Sequence, residues 1–180
     1  IPCFNYELIN ELTQHQIEIQ NTGGVLFDGE KAHQIKYSVA ASLTPNVFNL
    51  GGHLAMIREF AINKHREALL NYATKGIDGL VSRLNRFNNS PIINISLVQG
   101  LALGGGLEAA LASDVVIAER KSVFGFPEIL FNMFPGMGGY SLVARKAGVK
   151  IADEMILKGK QYTAEQAFEM GLVDMLVDDG

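Results

Sequence analysis

The sequence predicts one domain of the α/β class. Its 180 residues, 48% of them hydrophobic, suffice for one substantial core and argue against two domains. Two apolar, largely β-branched segments, Ile92–Val98 and Val115–Ala118, predict strands, and Leu107–Leu111 between them predicts a short helix. The triple glycine Gly104–Gly106 joins the first strand to that helix. Strand, helix and strand in alternation are typical of α/β folds.

The elements before this centre are predicted from periodicity and from turn residues. Glu7–Gln20 has apolar residues at helical spacing and stops before Gly23. Lys36–Ala41 predicts a strand, which the turn Thr44–Asn46 follows. From Leu54, apolar residues at helical spacing predict one long helix that continues to about Tyr72 or beyond.

The second half of the chain predicts a loop, a buried central strand and three closing helices. Asn85–Ser90 is polar and predicts a loop, whereas Ile92–Val98 has the near-continuous apolar character of a strand buried on both faces. Thr163 and Gln166 have the spacing of a capping box. The predicted closing helices are Tyr140–Ala147, Ile151–Leu157 and Ala164–Met170.

Composition excludes several classes of function. A net charge of −4 with scattered basic residues argues against a nucleic-acid partner. Cys3 is the single cysteine, so an intramolecular disulfide and a four-thiolate zinc site are excluded. No apolar run of membrane-spanning length and no signal peptide are visible, so we expect a cytoplasmic protein without a membrane partner. Because the chain starts at Ile1 rather than Met, we expect residues upstream to be missing.

The triple glycine has three interpretations. At the start of a helix, free N–H groups and the helix dipole favour an anionic group, but a structural turn that needs positive φ predicts the same residues. The pattern Gly104-x-Gly106-x-x-Ala109, with Glu119 after it, also matches the dinucleotide fingerprint of an NAD-dependent oxidoreductase. The predicted helix is short for that motif, and Glu119 comes early.

Other catalytic motifs are not found. Gly159-Lys160 is followed by Gln161, so there is no phosphate-binding P-loop, and no G-x-S-x-G elbow occurs. The four histidines form no zinc-binding pair, so no metal site is predicted. These are His15, His33, His53 and His65.

Two carboxylates lie in apolar surroundings. Glu108 is flanked by glycine, leucine and alanine, and Glu128 lies between Pro127 and Ile129. Each of these two glutamates is expected to be either a solvated residue at a helix start or a desolvated acid with a raised pKa. Because both lie beside glycine-rich turns, they form a candidate pair for acid–base catalysis.

Together these residues resemble the crotonase (enoyl-CoA hydratase/isomerase) superfamily. The characteristic segments appear in the family's order as Phe48–Leu54, Gly104–Glu108, Pro127-Glu128 and Pro135–Gly138. The resemblance implies a crotonase-like (ClpP/crotonase) spiral of ββα units with flanking helices, in a single domain over residues 1–180. It also implies that a first strand and the C-terminal helices of the family lie outside this sequence.

The same resemblance implies roles for individual residues. Glu108 and Glu128 match the family's two proton-exchanging glutamates. The backbone N–H groups of Leu50 and Gly105 are expected to form the oxyanion hole for a thioester carbonyl, an arrangement that stabilises an enolate electrostatically. His53 stands where the family usually has Asp, which leaves carrier preference open. The expected substrate-binding residues are Gly51, Gly52, His53, Leu54, Gly104 and Gly136.

Within the superfamily the sequence is most similar to bacterial diffusible-signal-factor synthases. The similarity lies in Pro2–Phe4, Phe48–Gly52, Ser96–Gly100 and Phe126–Asn132. It implies dehydration of a 3-hydroxyacyl thioester to a cis-2-enoyl chain, followed by hydrolysis to the free fatty acid. The alternatives are a general enoyl-CoA hydratase/isomerase of fatty-acid oxidation and a non-catalytic crotonase-like binding subunit.

The expected partners follow from the resemblance. The substrate is an acyl thioester of coenzyme A or of acyl carrier protein, and no cofactor is expected beyond the pantetheine that belongs to that substrate. The family resemblance also implies a homotrimer or a dimer of trimers.

Overall fold

Pairs of strands followed by helices dominate the computed structural model, which describes residues 2–180. The strands are β1 (Val25–Asp28), β2 (Lys31–Gln34), β3 (Tyr37–Ala40), β4 (Val47–Asn49), β5 (Ile93–Val98), β6 (Leu101–Leu103), β7 (Val115–Glu119), β8 (Val123–Gly125), β9 (Gln161–Thr163) and β10 (Met175–Val177). The α-helices are α1 (Tyr6–Thr22), α2 (Leu54–Ile62), α3 (Arg66–Leu84), α4 (Arg86–Asn89), α5 (Gly105–Leu111), α6 (Gly139–Ala147), α7 (Val149–Lys158) and α8 (Ala164–Glu169). A 3₁₀ helix covers Pro127–Phe131.

Successive strand pairs are divided between two four-stranded sheets. One sheet is parallel and has the order β10-β7-β5-β3, and the other has the order β4-β6-β8-β9 with only β9 antiparallel. In the pairs β3–β4, β5–β6 and β7–β8, the first strand joins the first sheet, the second strand joins the second sheet, and helices follow. In the last pair, β9 joins the second sheet and β10 joins the first. This is the spiral of ββα units that the sequence predicts. The strands β1 and β2 form a separate hairpin that the sequence analysis did not predict.

The core lies where α5 and the C-terminal helices pack against both sheets. Leu107 of α5, Phe124 of β8 and Met155 of α7 are each at most 1% exposed. Burial of such side chains contributes about 1.5–3 kcal/mol each. The capping box at the start of α8 is present as predicted, since the Thr163 and Gln166 side chains each accept the other residue's backbone N–H.

The predicted long helix after Leu54 is two helices. The helix α2 ends at Ile62 and α3 begins at Arg66, because Lys64 adopts left-handed geometry with φ of 56°. The predicted long helix is therefore interrupted at Lys64, although its second part extends well past Tyr72, to Leu84. Among residues 2–180, no helix combines the length and apolar character that crossing a bilayer requires.

Two further predictions need correction. The polar segment Asn85–Ser90 contains α4, a single turn with positive φ throughout, and it buries Phe87 to 1% exposure. The strand β5 is central but is not buried on both faces: Asn94 and Ser96 are buried, whereas Ile93 is 40% exposed. Its alternating burial is that of a strand with one covered face.

Candidate active site

The triple glycine forms the start of α5 and brings that helix close to neighbouring backbone. Gly104 has φ of 54°, a conformation that glycine adopts readily. A side chain on Gly106 would overlap the Asn49 carbonyl at the end of β4. These glycines therefore let β4 pack directly against the α5 N-terminus, whose dipole favours negative charge.

Glu108 lies in the first turn of α5 and is 1% exposed. Its Oε1 accepts the backbone N–H groups of Met137 at 2.8 Å and Gly139 at 2.7 Å. Burial raises the pKa of the Glu108 carboxyl, and the two N–H donors oppose that increase. The glycine-rich turn before α6 therefore supplies donors that favour the charged form, against the larger effect of burial.

Glu128 is the second residue of the 3₁₀ helix and lies beside Gly104. A Cβ placed on Gly104 would be 2.5 Å from Glu128 Oε1, so the carboxyl lies directly over the glycine backbone. Its Oε2 is buried without a hydrogen-bond partner among residues 2–180. Burial, with a smaller contribution from the Glu108 charge, raises the Glu128 pKa to about 7. With a pKa of about 7, the Glu128 carboxyl can hold or release a proton near neutral pH.

The loop after β4 lies against Gly105. A Cβ on Gly51, whose φ is 83°, would be 2.7 Å from the Gly105 nitrogen. The Leu50 N–H, however, donates to the Pro2 carbonyl at 2.9 Å, so it is not free to bind a substrate oxygen. The expectation that Leu50 supplies an oxyanion-hole donor is therefore wrong for this structure.

Gly52 is the better partner for Gly105. Within residues 2–180, the N–H groups of this loop that donate hydrogen bonds are those of Leu50, Gly51 and His53. The Gly52 nitrogen lies 3.6 Å from the position of a Cβ on Gly105, and both glycines border the same cavity. The Gly52 and Gly105 amides thus lie close together at the wall of this cavity.

A cavity of about 310 Å³ connects these groups. Its wall contains Glu108, Glu128 and Gly105, and it continues between α1 and α3. Such a volume is at the lower end of the range for small-molecule sites, which are mostly apolar with a few placed polar groups. The cavity therefore combines the paired carboxylates with space for an apolar ligand.

The structure separates the predicted substrate-binding residues into two groups. Gly52, Leu54, Gly104 and Gly136 line the cavity, whereas Gly51 and His53 do not. His53 instead caps α2, because its Nδ1 accepts the Met56 N–H at 3.2 Å. An aspartate would make the same kind of cap, so the substitution keeps the local structure.

Several cavity residues were not predicted. Met137 places its side chain next to Gly105, and the Tyr72 hydroxyl links the Phe4 carbonyl to the His53 N–H. The helix α1 lines the cavity with Ile9, Leu12, Thr13 and Gln16. Their spacing marks one helical face, but that pattern alone predicts packing as readily as a site. Within the described part of the chain, no cluster of His, Cys, Asp and Glu suits a metal ion.

Comparison with known proteins identifies a matching family model and similar solved structures. A family model described as enoyl-CoA hydratase/isomerase matches residues 5–179. The solved structure of enoyl-CoA hydratase from Bacillus anthracis is 26% identical, with a TM-score of 0.81 over 98% of this chain and 61% of that chain. The structure of Pseudomonas aeruginosa DspI is 27% identical, with a TM-score of 0.81 over 99% of this chain and 66% of that chain.

A more distant structure shows the fold alone. Enoyl-CoA hydratase from Bacillus halodurans is 21% identical, with a TM-score of 0.84 over 99% of this chain and 65% of that chain. The present chain thus spans less than two thirds of the length of these structures. The matches confirm the predicted crotonase-like fold.

Proposed function

Because the chain belongs to the enoyl-CoA hydratase/isomerase family, we propose that it adds or removes water across the Cα–Cβ bond of an acyl thioester. The observation that carries the proposal is the pair of glutamates in contrasting surroundings, Glu108 fully buried and Glu128 partly buried. Glu108 accepts two backbone N–H groups, whereas Glu128 has an unpartnered oxygen and a pKa of about 7. One proton shared between two such groups provides one acid and one base.

The proton transfers balance in both directions. For hydration, ionised Glu108 takes a proton from water as the oxygen attacks Cβ, and protonated Glu128 donates its proton to Cα. The pair then holds Glu108 protonated and Glu128 ionised. Dehydration begins from that second state: Glu128 removes the Cα proton, and Glu108 protonates the departing hydroxyl. We assign the ionised form to Glu108, whose carboxylate accepts two N–H groups, and the protonated form to Glu128, so this resting state starts hydration.

The Gly52 and Gly105 N–H groups are the donors that we assign to the thioester carbonyl. Its oxygen gains negative charge when Cα is deprotonated, and each preorganised donor aimed at it is worth about 3–4 kcal/mol in such sites. Gly105 lies at the α5 N-terminus, where the helix dipole adds to the effect.

The finer assignment is a signal synthase that makes a cis-2-enoyl fatty acid from a 3-hydroxyacyl thioester and then hydrolyses the thioester. Its support is the sequence similarity of Phe48–Gly52 and Phe126–Asn132 to diffusible-signal-factor synthases. The substrate carrier is coenzyme A or acyl carrier protein, whose pantetheine is the one cofactor-like group required. Assembly as a homotrimer or a dimer of trimers belongs to the same proposal.

A general enoyl-CoA hydratase of fatty-acid oxidation is the second candidate, and the paired glutamates suit it equally. An NAD-dependent oxidoreductase fits less well. The strands β6 and β7, which flank the triple glycine and α5, lie in different sheets, so they do not form the βαβ unit of a dinucleotide site. A non-catalytic binding subunit would not need both Glu108 and Glu128.

Mass spectrometry of the products distinguishes these functions. The protein is incubated with 3-hydroxyacyl and 2-enoyl thioesters on both carriers, and hydration, dehydration and free acid are followed. Dehydration with release of a cis-2-enoyl acid supports the signal synthase, and reversible hydration alone supports the general hydratase. Binding of acyl thioesters without turnover would contradict the catalytic proposal.

A further inference from the structure

The cavity continues from the glutamates into the space between α1 and α3. These helices run parallel: the residues that their hydrogen bonds join follow one another in the same order along both helices. The hydrogen bonds run from Tyr6 Oη to the Ala68 carbonyl, from Gln16 Nε2 to the Gly79 carbonyl and from Gln20 Nε2 to Ser82 Oγ.

The near end of this channel is apolar and adjoins the reacting groups. A Cβ on Gly76 of α3 would be 3.0 Å from Met137 Sδ, and the Met137 N–H holds Glu108. Ile9 and Leu12 of α1 line the same cavity. A thioester held beside Glu108 therefore has an apolar path for its acyl tail between the two helices.

Beyond Gly76 the channel gains polar groups, although Leu80 and Phe87 also line it. Gln16 Nε2 donates to the Gly79 carbonyl at 3.0 Å, one turn beyond Gly76. One further turn along α3, the Arg83 guanidinium borders the cavity and donates to Ser113 Oγ at 2.7 Å. An apolar tail gains free energy from the near end, but passing Gln16 would displace a hydrogen-bonded amide and bring the tail beside a charge.

We propose that the contact between Gln16 and Gly79 is the stop that sets the length of the acyl chain. Gln16 supplies the polar end of the channel, and Gly79 leaves room for its amide. This inference rests on the proposed function, because it assumes that an acyl thioester occupies the glutamate end. It assigns chain-length specificity to a pair of residues remote from the chemistry.

The test compares Gln16→Ala and Gly79→Ala with Gln14→Ala, an exposed position on α1 that serves as the control. The kcat/KM is measured for 3-hydroxyacyl thioesters of increasing chain length. Gln16→Ala should move the optimum toward longer chains by at least about two carbons, since a helical turn spans about 5.4 Å. The kcat/KM for those longer chains should rise by roughly 10-fold.

Gly79→Ala should have the opposite effect. Its Cβ would be 3.3 Å from Gln16 Nε2, so the amide must shift, and we expect it to narrow the channel. Long chains should lose roughly 10-fold in kcat/KM while short chains keep theirs. Because alanine is a better helix former than glycine, α3 should remain folded.

An unchanged length profile in both variants would overturn the assignment, as would an equal loss at every chain length. Binding constants for acyl-CoA of the same chain lengths provide a readout that does not depend on turnover. If wild-type protein binds but converts none of them, the proposed function fails, and the binding profile still decides the role of Gln16. If it binds none, both proposals fail.

Discussion

Replacing Glu128 by glutamine should stabilise the folded protein at alkaline pH while it removes activity. Burial raises the pKa of this carboxyl from its ordinary value of 4.5 to about 7. Since the folded state holds the proton more tightly, the stabilisation is complete below about pH 4.5 and is lost as the pH rises through about 7. At roughly 1.4 kcal/mol for each pKa unit, the upper bound is about 3.4 kcal/mol, which solvent screening of this partly exposed group reduces to about 1–2 kcal/mol.

Urea unfolding of the wild-type protein and of Glu128→Gln, at about pH 5 and about pH 8.5, measures this effect. The wild-type free energy of unfolding should fall by about 1–2 kcal/mol more than that of the variant between the two pH values. Glu11→Gln, at an exposed position of α1, is the control and should follow the wild type. Parallel pH dependence of wild type and Glu128→Gln would refute the reasoning that burial keeps Glu128 protonated.

Two other predictions concern the backbone around the site. A backbone ester at position 52 deletes the Gly52 N–H and should lower kcat by about 10²–10³-fold, whereas an ester at Leu50 should leave kcat within a few fold. Stopped assays of acyl-thioester turnover measure both effects. Equal losses in the two variants would show that the Leu50 N–H also belongs to the oxyanion hole. Gly106→Ala should lower the free energy of unfolding by about 1–3 kcal/mol, because its Cβ would overlap the Asn49 carbonyl; a melting temperature equal to that of the wild type would contradict this close packing.

The α/β class and the two glutamates were predictable because their signals are local. A glycine-rich turn between an apolar strand and a short helix indicates a helix start that binds negative charge. Glu108 and Glu128 stand out because few charged residues occur in such apolar segments. The capping box at Thr163 is equally local and is present in the structure.

What the sequence could not predict depends on residues distant along the chain. The Leu50 N–H is occupied because the Pro2 carbonyl lies beside it, and no pattern around Leu50 signals that contact. The channel exists because α1 and α3 run side by side, which only the fold determines. Likewise Ile93 is exposed because one face of β5 is uncovered, although its composition is that of a buried strand.

The most direct test of the paired-glutamate mechanism is the turnover of Glu108→Gln and Glu128→Gln on the acyl thioester that the wild type converts. Each change removes a proton-transferring group and nearly preserves the shape, so each variant should lose at least about 100-fold in kcat. Circular dichroism should show both folded, and thioester binding should stay within a few fold of the wild type. Near-wild-type turnover by either folded variant would contradict the mechanism in which Glu108 and Glu128 exchange the two protons.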